Sequence, residues 1–132
     1  MVRNRKIADI DLSDGKVVEK TLPKDIRTLY IGGRGVDMYL LYNHLTPKVD
    51  PLGPENVLFV GGGLLCGIPC LGSGRCDIAA KSPLTGAVGD SNIGGFFAPE
   101  LRFACLDHLV IHGKAPKPVY IWIDDGEINL RD

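Results

Sequence analysis

Between Gly61 and Gly95 the chain reads GGGLLCGIPCLGSGRCDIAAKSPLTGAVGDSNIGG, and no other stretch so restricts what its backbone can do. Ten of the 17 glycines fall inside it, with three of the four cysteines. Glycine costs chain entropy on folding, so this density implies backbone that turns sharply or lies closer to something than a Cβ permits. Most other residues of the stretch are small or uncharged, and Arg75 stands out as a long cation. A guanidinium offers planar, permanently charged donors that match phosphate or heteroatom acceptors. Two readings stand side by side. One is a glycine-lined surface for a flat, polar, anionic ligand; the other is a run of tight turns between strands of a small β-rich core.

The flanking segments supply those strands and a few short helices. Lys6–Leu12 alternates, with Ala8, Ile10 and Leu12 on one face and Ile7, Asp9 and Asp11 on the other. Ser13-Asp14-Gly15-Lys16 then reads as a turn and Val17–Leu22 as the returning strand. Pro23 sits where it can open a short helix. Arg34–Leu45 reads as a second helix, with Met38, Leu41, Tyr42 and Leu45 as its apolar face. The preceding Gly32-Gly33-Arg34-Gly35 lacks the G-x-G-x-x-G spacing of a dinucleotide site, so close helix packing is the better use of these glycines. Thr46–Asn56, with three prolines and a glycine, is an ordered connection into a short buried strand at Val57–Val60. Beyond the glycine-rich stretch, Phe96–Leu106 is helical with Pro99 in its first turn. Phe96, Phe97, Leu101, Ala104 and Cys105 are its packing residues. His108–His112 reads as a strand, and Pro118–Asp124 with Glu127–Leu130 as a hairpin about Asp125-Gly126.

With 132 residues the chain is long enough for one domain with a real core. Its net charge of −1 and lack of a basic stripe argue against nucleic acid as a partner. No apolar run reaches bilayer length, so no membrane span is expected. The basic residues at the N-terminus are not followed by an apolar segment, so this is not a signal peptide. The cytoplasm, where thiols stay reduced, is the default compartment. Cys66, Cys70, Cys76 and Cys105 form no C-x-x-C pair, which leaves zinc sites poorly supported. His108 and His112 share a strand face but lie too far apart for a compact metal site, and read as partly exposed strand residues. His44, near a helix end, can interact with the dipole there. No Ser/His/Asp or Cys/His set is visible, and the chain shows no self-contained catalytic apparatus.

Taken in order, several motifs resemble the N-terminal domain of the aldehyde ferredoxin oxidoreductase family, the tungsten- or molybdenum-pterin enzymes. They are Leu12-Ser13-Asp14-Gly15, Ile31-Gly32-Gly33-Arg34-Gly35, Val49-Asp50-Pro51-Leu52-Gly53-Pro54-Glu55-Asn56, Gly74-Arg75, Lys81-Ser82-Pro83-Leu84-Thr85-Gly86, Ser91-Asn92-Ile93-Gly94-Gly95 and Pro99-Glu100-Leu101-Arg102-Phe103-Ala104. The resemblance implies an α+β fold with two β-sheets and a few short helices, on which a bis-pterin tungsten or molybdenum cofactor rests. Arg75 matches the family arginine between pterin and a [4Fe–4S] cluster. Asn92 matches the residue whose backbone carbonyl helps hold a magnesium ion that joins the pterin phosphates. Gly94 and Gly95 match glycines whose backbone lies against the pterin.

The implied activity is oxidation of an aldehyde to a carboxylic acid, with electrons passing through the cluster to ferredoxin. The cluster belongs to the complete enzyme, and this chain's cysteines do not match its ligands. By the same resemblance, residues 1–132 are the pterin-binding, N-terminal part of a larger enzyme whose partners are its helical domains or subunit. Alone, the chain is expected to be inactive and to self-associate through the uncovered glycine-rich face. Leu64-Leu65-Cys66 departs from the family's usual proline and threonine and leans toward the benzoyl-coenzyme-A reductase branch. A non-catalytic binding or assembly module that keeps the fold is the alternative.

Overall fold

The structure, a computed structural model, describes residues 6–132; residues 1–5, which carry the N-terminal basic residues read above, lie outside the described residues. It begins with a hairpin, β1 (Lys6–Asp11) and β2 (Lys16–Thr21), whose turn places Gly15 at φ +72°. Two helices follow, α1 (Lys24–Tyr30) and α2 (Arg34–His44), then β3 (Leu58–Gly62), β4 (Cys76–Lys81) and β5 (Val88–Ile93). Helix α3 (Phe97–Phe103) leads into β6 (Leu106–His112), and β7 (Tyr120–Asp124) with β8 (Glu127–Arg131) closes the chain. Six strands form one sheet in the order β2-β1-β6-β3-β4-β5, and β7-β8 form a second. The α+β architecture with two sheets is therefore the one expected.

The main sheet is covered on both faces. Helices α1 and α2 bury Ile26, Val36, Leu40 and Leu41 against Ile7, Phe59, Ala79 and Val110. On the other face, Ala98 and Leu101 of α3 pack with Ala8, Ile10, Val60, Leu106 and Leu109, flanked by Ile121, Ile123, Ile128 and Leu130 of the second sheet. Strand β6 lies between β1, to which it runs parallel, and β3, to which it is antiparallel. A strand in that position is enclosed on all sides, so Leu106–Val110 are buried without interruption.

That placement corrects the reading of His108, which is fully buried rather than partly exposed. Its Nδ1 lies 2.7 Å from Asp37 Oδ1. His112, at the end of the strand, is only part-buried and bonds Asp9 at 2.9 Å through Nε2. The apolar face of α2 is also rotated from the expected one. Asp37 turns inward to His108, Val36 and Leu40 join Leu41 in the core, and Tyr42 is 83% exposed. Helix α3 likewise buries Ala98 and Leu101 while Phe96 and Phe97 are exposed, and Leu106 belongs to β6.

The glycines before α2 do serve close packing. Gly33 N–H donates to Gly62 O at 3.0 Å, and a Cβ on Gly33 would sit 3.4 Å from Gly63 Cα. At Gly35 a Cβ would overlap the Tyr30 carbonyl. The N-terminus of α2 is thereby locked onto the end of β3, where the glycine-rich stretch begins.

Candidate functional site

One end of the main sheet gathers the end of β3, the start of β4, the end of β5, the start of β6 and the N-terminus of α2. The loop from Gly63 to Arg75 leaves and re-enters at this end. Its geometry is fixed by the Arg75 carbonyl, which accepts from Gly63 N–H at 3.4 Å and from the Cys66 thiol at 3.1 Å. Cys66 is buried, and its thiol anchors this loop. Cys76 is buried too, and burial, reinforced by the nearby Asp37 charge, pushes its thiol up to about 12. Cys70 and Cys105 are exposed. Among the described residues no group of three or more His, Cys, Asp or Glu side chains is arranged to hold a metal ion.

Arg75 is exposed, and its guanidinium makes no hydrogen bond or ion pair among the described residues. Its position is set by the glycine before it. A Cβ on Gly74 would stand 2.5 Å from the Gly95 carbonyl oxygen, so the two backbones meet in a way that only glycine at 74 allows. This contact carries Arg75 to the same edge as Gly94 and Gly95. At both of these glycines a Cβ would meet nothing within 4 Å, and Gly95 takes φ +115°, which strongly favours glycine. The edge thus presents bare, exposed backbone beside one unpaired guanidinium.

Asn92 stands at the end of β5, and its side chain is turned back onto the sheet. Its Nδ2 donates to Asp77 Oδ1 at 3.0 Å. Asp77 is cross-strand partner to both Asn92 and Gly61, and Gly61 is in turn partner to His108. A polar strip therefore crosses the sheet beneath the glycine-rich edge: His108, the gap at Gly61 filled by Asp37 from α2, Asp77, then Asn92. Arg34, in the first turn of α2, reaches the same strip, with Nε 3.4 Å from Asp77 Oδ1 and Nη2 paired with Asp90. Burial pushes both the Asp37 and Asp77 carboxyls above the ordinary carboxylate value, against the pull of His108 and Arg34 respectively.

Reading by residue type overlooked Arg34, Asp37, Asp77 and His108 as a group. Arg34 and Asp77 lie 43 residues apart, and Asp37 and His108 lie 71 apart, so no local spacing links them. The one local signal was an Asp on a helix turn otherwise lined with apolar residues. Beside the strip, Ile31, Gly63, Leu64, Leu65, Cys66, Gly72, Ser73 and Arg75 line an apolar cleft of about 330 Å³. Ile31 enters it at φ +67°, a strained conformation for a β-branched residue and one that tends to cluster at functional sites.

Comparison with known proteins agrees with this fold. Residues 7–132 match the family described as aldehyde ferredoxin oxidoreductase, N-terminal domain. The tungsten-containing aldehyde ferredoxin oxidoreductase of Pyrococcus horikoshii is 41% identical over 127 residues, covering 96% of this chain and 21% of that protein. The WOR-like subunit of the aliphatic sulfonate oxidoreductase of Pyrococcus furiosus is 38% identical over 133 residues, covering 98% of this chain and again 21% of the other. Among solved structures, a chain of the active-site complex BamBC of benzoyl coenzyme A reductase, in complex with 1,5 dienoyl-CoA, superposes with a TM-score of 0.96 at 34% identity. It covers 99% of this chain and 20% of that one. The chain spans about one fifth of the length of the relatives it matches. It belongs to the aldehyde ferredoxin oxidoreductase N-terminal domain family.

Proposed function

We propose that residues 1–132 form the pterin-cofactor-binding domain of a larger tungsten or molybdenum oxidoreductase. The observation that carries this is the contact of Gly74 with the Gly95 carbonyl, which sets a free Arg75 guanidinium beside the open backbone of Gly94 and Gly95. The residues present suit such a group. A planar heterocycle can lie on backbone that carries no Cβ, and an anionic or electron-rich cofactor is matched by the unpaired guanidinium. Asn92 would hold magnesium through its backbone carbonyl, a hard oxygen ligand of the kind that ion prefers.

When bound, the metal-dithiolene group would supply two-electron redox chemistry, oxidising an aldehyde and water to a carboxylic acid with release of two protons and two electrons. Those electrons would pass through a [4Fe–4S] cluster held by other domains to ferredoxin. This chain contributes binding, orientation and electrostatics. Arg75 would bridge pterin and cluster with separate arms of its planar fork. The apolar cleft beside it and the exposed Leu64, Leu65, Ile68, Phe96 and Phe97 form a surface suited to being covered by the helical domains or subunit. Uncovered, that surface leads to self-association.

The substrate is not chosen at this edge. That proteins named for aldehyde, sulfonate and benzoyl-coenzyme-A substrates share this domain supports a specificity set mainly by their other domains. The 41% identity to an aldehyde enzyme against 34% to the benzoyl coenzyme A reductase chain favours the aldehyde reading. The benzoyl-coenzyme-A reductase branch, whose chain shares the fold at 34% identity, is the second reading. The test is Arg75→Lys, made both in this chain and in its assembly with the remaining domains. Lysine keeps the charge and loses the fork, so loss of a charge-assisted bond of about 1.5–3 kcal/mol should appear as reduced tungsten or pterin retention. The melting temperature of this chain alone should stay unchanged. Destabilisation of the isolated chain by several kcal/mol would make Arg75 a structural buttress and remove the cofactor reading of it.

A further inference from the structure

The Asp77 carboxylate is costly where it lies. Its side chain is 3% exposed, and Oδ2 has no hydrogen-bond partner among the described residues. Its cross-strand neighbour Gly61 and the next residue on the same sheet face, Ala79, are buried and carry no polar side chain, and the gap at Gly61 holds the Asp37 carboxyl, whose charge repels its own. A buried carboxylate left half-satisfied lowers stability, and an apolar residue in its place would cost less. What the carboxylate provides is direction. Oδ1 accepts from Asn92 Nδ2 at 3.0 Å and faces Arg34 Nε at 3.4 Å.

Strand β5 is the edge of the main sheet and, among the described residues, is hydrogen-bonded only to β4. Its last residues run straight into Gly94 and Gly95, which have no side chains with which to hold a position. Arg34, 60% exposed, spans from the first turn of α2 to Asp77 on β4 and Asp90 on β5, and so closes the strand pair from above. We infer that Asp77, braced by Arg34, is a positioning residue: it holds the Asn92 side chain and thereby aims the Asn92 carbonyl and the Gly94–Gly95 backbone at the cofactor. This rests on the cofactor reading proposed above, and it assigns a task to the Asn92 side chain that is separate from that of its carbonyl.

Groups that orient a metal ligand, without touching the metal, typically contribute roughly 10–100-fold to its affinity. The experiment uses the protein assembled with the domains that complete it, loaded with pterin and tungsten, and titrates magnesium after mild chelation. Asn92→Ala and Asp77→Ala are each expected to weaken magnesium retention by about 10-fold or more. The double variant should be no weaker than the worse single one, since both break one tether. Asp77→Asn keeps an acceptor oxygen for Asn92 and should recover most of the affinity, whereas a merely structural role for the charge predicts no rescue. Wild-type magnesium affinity in Asp77→Ala, or additive losses in the double variant, would overturn the inference while leaving the cofactor reading in place. A wild-type assembly that takes up neither pterin nor magnesium would overturn that reading, and this inference with it.

Discussion

Gly61 is the position at which one methyl group should do the most damage. A Cβ built there falls within 3 Å of His108 Nδ1 and of both Asp37 carboxylate oxygens. None of the three can step aside. His108 is fully buried at the centre of the sheet, and Asp37 is fully buried on α2. Helix α2 is itself held down at its N-terminus by the Gly33–Gly62 hydrogen bond. Gly61→Ala must therefore lift α2 with the pair intact, or split the pair. Overfilling a packed core costs about 1–3 kcal/mol, and splitting the Asp37–His108 hydrogen bond, which leaves a buried polar group unsatisfied, costs about 1–3 kcal/mol. The expected loss is thus about 1–3 kcal/mol, a sizeable share of the 5–15 kcal/mol typical of a domain. Urea denaturation followed by circular dichroism reads it as a lower midpoint at unchanged slope. The Asp37→Ala background sharpens the test, because there two of the three obstructing atoms are gone and the His108 ring can turn away from the methyl into the space the carboxylate has left. Gly61→Ala should then cost about 1–3 kcal/mol less than in the wild type. A loss below about 1 kcal/mol in the wild type, or equal losses in the two backgrounds, would refute the argument that Gly61 exists to admit Asp37.

Two further outcomes follow from the structure. Cys70 and Cys105 should react readily with a thiol reagent in the native protein, whereas Cys66 and Cys76 should react only on unfolding; fast modification of Cys76 would contradict its burial and its raised thiol value. At Asp9, burial favours the neutral acid, but the Lys20 and His112 hydrogen bonds outweigh it and hold the carboxyl below the ordinary 3.8. The unfolded chain then takes up the proton first, so the stability from Asp9 is full above 3.8 and is lost as pH falls through its lower folded value. Asp37 and Asp77 have the opposite sign: their raised values favour the folded state below 3.8, and that contribution is lost as pH rises through them. Urea midpoints measured across the acid range should show a shallower acid loss in Asp9→Asn than in the wild type, and an unchanged profile would count against the ion-pair assignment.

Much of the local structure was legible because it is written in short range. Both hairpins follow from period-two alternation around Ser13-Asp14-Gly15 and Asp125-Gly126, and the observed β1–β2 and β7–β8 registers close on those turns. The 3.6-residue pattern located α2 to within a residue. It did not find the buried face, because a helix rotates to satisfy its strongest partner. Here that partner is His108, 71 residues away. For the candidate site, glycine density drew attention to Arg75, while Asn92, Gly94 and Gly95 were implied only by the family resemblance.

What the amino-acid sequence determined by itself was therefore the family, through the order of its motifs, and most elements and turns outside the glycine-rich stretch, within which strands β4 and β5 were not found. The elements it did find depend on torsional preference and periodicity over a few residues. The tertiary structure alone decided that β6 enters between β1 and β3, and from that the rest follows. His108 is enclosed, Asp37 is drawn inward through the space at Gly61, and Asp77 is set between Asn92 and Arg34. These are pairings between strands and a helix far apart in the chain. Their energies exist only once hydrogen-bonded neighbours have excluded water, so no local pattern of residues can announce them.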